Sequence, residues 1–148
     1  MKLGSLILVM VGLLAACGGS DEDTIDSTPG IDAAVTIDAM PDPMLNGCTR
    51  AAATNMKGMA SVTVTNTQAW SIPHQVCIVV DAGTQLTWEG NFSAHPLAGG
   101  QTGTVDAASP IGAGSGTTPF VVTLGTAGTY PYFCSIHLSS MQGVVYVE

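Results

Sequence analysis

The amino-acid sequence predicts an all-β domain, an antiparallel sandwich, from three observations. Apolar residues recur at every second position in short runs, the runs are rich in Val, Ile, Phe, Tyr and Trp, and Gly-rich or Asp-Ala-Gly turn signals separate them. The chain has 148 residues, 46% hydrophobic and only 9% charged, so one modest domain with appendages is expected and a large multidomain enzyme is excluded. Three Lys and Arg stand against 11 Asp and Glu. Gripping a nucleic-acid backbone takes cations that displace its counterions, so this composition excludes nucleic-acid binding.

Taken in order, the first element is an address. Lys2 precedes an apolar run over 3–16, which would rise roughly 21 Å as a helix against a hydrocarbon thickness of about 30 Å. Residues 1–16 therefore read as a cleaved export signal. The ending Leu14-Ala15-Ala16-Cys17 resembles the lipobox of bacterial lipoproteins. That resemblance implies a lipid on Cys17 and an anchor in a bacterial membrane, on the periplasmic or extracellular face of the cell envelope. Gly18 after Cys17 suits export to the outer membrane. Residues 17–43 form an acidic flexible linker: they carry seven of the 11 acids, lack aromatics and cannot build a core.

Residues 44–148 hold the domain. Strands are expected over 60–65, 76–80, 85–88, 120–124, 130–133 and 144–147, with a helical turn within 49–56. Turns are expected at Asp81-Ala82-Gly83, at Gly125-Thr126-Ala127-Gly128 and through the Gly-rich stretch 99–116.

Chemistry concentrates near the C-terminus, in Tyr132-Phe133-Cys134-Ser135-Ile136-His137-Leu138-Ser139-Ser140-Met141. A thiol, an imidazole and a thioether lie on one loop between two expected strands. Another imidazole, His95, follows the strand that ends at Trp88. One Cys, two His and one Met are the donors of a blue-copper site, a soft thiolate and borderline imidazoles in a plane with a weak axial thioether. Thiolate and thioether favour Cu(I) and imidazole serves both oxidation states. A loop clamped by strands imposes one compromise geometry on both.

These residues, with Pro73-His74-Gln75-Val76, Val79-Val80-Asp81-Ala82-Gly83-Thr84-Gln85-Leu86-Thr87-Trp88 and Gly128-Thr129-Tyr130-Pro131, resemble the cupredoxins of the plastocyanin, pseudoazurin and amicyanin type. The resemblance runs from about Ala60 to Glu148. It implies an eight-stranded Greek-key β-sandwich or barrel and one type 1 copper ion. His95, Cys134 and His137 would be its equatorial ligands and Met141 its axial one. It also implies one-electron shuttling with a redox partner such as a c-type cytochrome or a membrane oxidase. Two departures stand out. Three residues separate His137 from Met141, where plastocyanin-like proteins commonly have four and amicyanin-like ones two. Pro96 follows His95 where many relatives carry Asn, and proline has no N–H. The Ile136 N–H is therefore the expected donor to the Cys134 sulfur.

With Cys17 assigned to lipid and Cys134 to copper, Cys48 and Cys77 remain, and in an exported protein they most simply form a disulfide. A second metal site is the weaker alternative, because no nearby His or Cys completes a shell. His74 is expected to face solvent. The resulting expectation is a monomeric, lipid-tethered electron carrier, with copper storage or delivery as the alternative. Catalysis is not expected: protein donors fill all four metal positions, and no nucleophile and base pair is visible.

Overall fold

The computed structural model describes residues 42–65 and 69–148. The expected export signal, Cys17 and the expected linker as far as Pro41 lie outside those residues. Among them, a 3₁₀ turn (Arg50–Ala52) and β1 (Thr54–Asn55) lead into β2 (Ser61–Thr63), β3 (His74–Val80) and β4 (Gln85–Trp88). Then come β5 (Leu97–Gln101), β6 (Thr104–Val105), β7 (Phe120–Thr123), β8 (Gly128–Cys134) and β9 (Leu138–Val147). The six expected strands and the helical turn are all found, each within a few residues.

Three strands were not expected. β1 lies within 49–56, where the sequence suggests only a helical turn. β5 and β6 occupy the Gly-rich stretch that reads as turn. The sequence of β5, Leu97-Ala98-Gly99-Gly100-Gln101, has no β-branched residue, so propensity argues against it. Pairing overrides propensity: Leu97, Ala98 and Gly99 lie opposite Cys134, Phe133 and Tyr132 of β8. Gly99 is needed there, because a Cβ would collide with the Ser109 side chain and the Ile111 carbonyl.

The strands form a six-stranded sheet, β1-β3-β9-β8-β5-β6, and a three-stranded sheet, β2-β4-β7. The expected all-β sandwich is thus present, but its sheets are mixed rather than antiparallel. β1 with β3, β3 with β9, and β2 with β4 run parallel. Side-chain periodicity is blind to strand direction, and each parallel pair joins segments separated by a long crossover.

One core lies between the sheets, built on Trp70, Leu86, Trp88, Leu97, Ile111, Leu124 and Tyr132, with Val80, Val145 and Val147 from β3 and β9. A smaller cluster of Cys48, Val79, Val144 and Tyr146 lies on the other face of the large sheet, where Leu45 and Ala53 of the N-terminal arm cover it. β9 is consequently buried on both faces, which explains its unbroken run Val144-Val145-Tyr146-Val147. The Cys48–Cys77 disulfide is formed and ties the arm to β3.

Candidate metal centre

β8 and β9 make a hairpin in which Cys134 pairs directly with Leu138, so Ser135, Ile136 and His137 form its tip. A register shift at Phe133/Cys134 lets Ser139, Ser140 and Met141 bulge before regular pairing resumes at Gln142. Leu138 has φ +46°, a left-handed conformation that costs a branched residue about 1–2 kcal/mol and is carried here at the tip of the loop. The other loop is organised by Asn91, whose side-chain oxygen accepts the N–H groups of Ser93 and Ala94 while its carbonyl accepts that of His95. Phe92, wholly buried, anchors it. The Ser135 N–H donates to the Pro96 carbonyl at 3.0 Å, lacing the two loops together.

The result is one cluster. His95 Nδ1 lies 3.0 Å from His137 Nδ1, and His137 Nδ1 lies 3.3 Å from Cys134 Sγ. The three donor atoms fall within 4.8 Å of one another. Donors that each stand about 2.0–2.3 Å from a shared ion are separated by distances of this order. The Cys134 side chain is fully buried and its thiol is free of any disulfide, whereas both imidazoles are half-buried. Desolvation, followed by the nearby His137, lowers the pKa of His95, which favours the neutral, ligating form. This donor set, soft sulfur beside two neutral imidazoles at the edge of a dry core, fits copper.

Met141 also lies on the inner face. It is fully buried in the same core cluster as Cys134, one strand position before Gln142. The Ile136 N–H makes no hydrogen bond to the Cys134 sulfur among the described residues; Ile136 is 59% exposed and the sulfur's polar neighbour is His137. Pro96 contributes its carbonyl instead of an N–H.

His74 corrects the sequence reading. It is 1% exposed rather than solvent-facing, because it opens β3 on the inward face opposite Met141 in the parallel β3–β9 register. Its Nε2 lies 3.2 Å from the Tyr132 hydroxyl, its Nδ1 has no partner, and burial depresses its pKa to about 4. Trp70, which sequence reasoning passed over, stacks edge-on against this imidazole at 4.6 Å. The available signal was weak: a Trp beside a strand needs a partner for its N–H when buried.

No family model matches the chain, and no curated protein does. Solved structures to which it is similar include a mutant of amicyanin in its Cu(I) form, 23% identical, covering 60% of this chain and 83% of that chain at a TM-score of 0.42. Another is a purple cupredoxin from Nitrosopumilus maritimus, 19% identical, covering 60% and 99% at 0.41. A third is a pseudoazurin from Sinorhizobium, 23% identical, covering 63% and 75% at 0.39. The class these structures represent is the cupredoxins, the one the sequence resembles. For this chain, the fold rests on the strand pairing above and the site on its donors.

Proposed function

We propose that the chain is a cupredoxin-type protein that holds one copper ion and carries one electron at a time. The single observation that supports this most strongly is the buried, free Cys134 thiol converging with the Nδ1 atoms of His95 and His137. Copper bound there would supply the one-electron Cu(I)/Cu(II) couple. The rest belongs to the chain. Cys134 would offer its sulfur from a buried edge of the core, His95 and His137 their imidazoles from two laced loops, and the buried Met141 a further, thioether donor. The half-buried His137 is flanked by exposed Ile136 and Leu138, which suits brief apolar contact with a redox partner. Such a partner would be a c-type cytochrome or a membrane oxidase. The lipobox-like sequence at Cys17 and the acidic spacer extend the proposal to a monomer tethered by lipid to a bacterial membrane, outside the cytoplasm.

The domain from Met44 onward, given Cu(II), should bind one equivalent and develop an intense visible thiolate-to-copper absorption. Cys134→Ser should abolish that band completely while leaving the fold intact by circular dichroism. A band that survives in Cys134→Ser would defeat the reading. Repeated oxidation and reduction without loss of metal separates a carrier from a storage or delivery protein, which would release its ion.

A further inference from the structure

Copper ligation by His95 requires that the backbone of residues 89–95 be fixed, yet this segment is mostly loop and carries only one buried apolar anchor, Phe92. Trp70 reaches both of its ends. The Trp70 backbone N–H donates to the Glu89 carbonyl at 2.6 Å, and its indole Nε1–H donates to the His95 carbonyl at 2.7 Å. Gly90 permits this approach, since a Cβ there would stand 2.7 Å from the Trp70 carbonyl oxygen.

The indole is itself held firmly. Trp70 is 1% exposed, meets His74 edge-on at 4.6 Å and lies 5.9 Å from the Tyr132 ring. Those two neighbours touch the remaining ligand segments. Tyr132 stands two residues before Cys134 on β8, and His74 pairs in register with Met141 on β9. Trp70 thus joins the His95 loop to the strands that carry the other proposed donors.

From this geometry we propose that Trp70 is the positioning residue for His95. Its indole N–H fixes the carbonyl, and so the backbone orientation, from which the imidazole projects. The metal readout of this inference rests on the copper reading above; the backbone readout does not. Outer groups that orient metal ligands typically change metal affinity about 10–100-fold when removed, whereas a core filler would loosen the whole sandwich.

The test compares wild type with Trp70→Phe and with a protein carrying the benzothienyl isostere of tryptophan at position 70. The isostere keeps the ring shape and lacks only the N–H, so it remains informative if Trp70→Phe does not fold. In metal-free protein, amide exchange at Ser93, Ala94 and His95 should accelerate about five- to tenfold, the loss of one hydrogen bond, while amides of β3, β8 and β9 keep their rates. With Cu(II), the isostere should release metal about 10–100-fold faster than wild type. Unchanged exchange at residues 93–95 would overturn the proposal, as would uniform acceleration through all strands. If loop exchange accelerated but copper release did not, the role in ligand positioning would fall. Wild type that takes up no copper would defeat the copper reading, and the exchange comparison would still decide what Trp70 does for the loop.

Discussion

The rim that gathers His95, Cys134 and His137 and the N-terminal arm over residues 42–58 are held to the same sheet by opposite means. The three ion pairs found among the described residues all involve the arm, joining Arg50 to Asp42 and both Arg50 and Lys57 to Glu148. The arm also carries the disulfide and a turn, Leu45-Asn46-Gly47-Cys48, with φ +44° at Asn46 and +70° at Gly47, the conformation Asn-Gly favours. Asn46 Nδ2 donates to the carbonyls of Tyr132, Gly100 and Gly143 at 2.8 to 3.4 Å, and its side-chain oxygen accepts the Thr102 N–H. None of those ion pairs reaches the rim, which is held by backbone hydrogen bonds, by those of the Asn91 side chain and the Trp70 indole, and by buried rings. The difference is instructive. Exposed charges bring water and salt sensitivity and a cross-link depends on redox state, and both serve the arm, while the rim around the buried Cys134 relies on hydrogen bonds and packing.

This contrast can be broken at the arm first. Replacing both Cys48 and Cys77 by Ser opens a loop spanning a separation of 29 residues and should cost roughly 3 to 4 kcal/mol in urea unfolding, with the copper absorption unaltered. A changed spectrum would show that arm and rim are coupled.

Next in size is a test at the rim side of the core. His74 has an ordinary pKa of 6.5 that burial lowers to about 4, so the unfolded chain binds its proton first as pH falls. The neutral imidazole is at no disadvantage above about pH 6.5, and stability should decline between there and about pH 4, by on the order of 3 kcal/mol. Metal-free His74→Phe should lack that part of the acid slope. An identical slope in both proteins would assign it to other groups.

A smaller effect is expected from Asn46→Asp, which turns a carboxylate toward three carbonyl oxygens and removes their donor. Chemical denaturation should register about 1–3 kcal/mol, again without change at the metal. The smallest is Glu148→Gln. Lys57 first and then Arg50 hold the Glu148 carboxyl below its ordinary range, so its contribution is present above the usual carboxylate pKa and fades as pH falls. This exposed cluster should yield a slight loss at neutral pH that disappears at high salt.

The sequence made much of this legible, unevenly. β4 and the ends of β3 and β9 follow from alternation of β-branched and aromatic residues, and His95, Cys134 and His137 stand out because their donor types are rare in so short a chain. β5 escaped because three small residues form a strand only when β8 lies beside it. The parallel partners escaped because direction leaves no trace in periodicity. Trp70 and His74 escaped for a related reason: a lone polar atom reads as surface until the fold shows what surrounds it. Gly143 is similar, since a Cβ there would collide with the Val76 carbonyl and the Tyr132 hydroxyl, a close approach no local pattern announces.

The parallel register of β3 with β9 sets an order of events. His74 meets Met141 and Val80 meets Val147, so the central ladder of the large sheet cannot zip until β9 is available. A chain released N-terminus first holds its arm and β3 waiting for a partner nearly seventy residues downstream, the slow, non-local closure typical of such topologies. Until β9 docks, His74 and the inward side of β3 lack the strand that covers them.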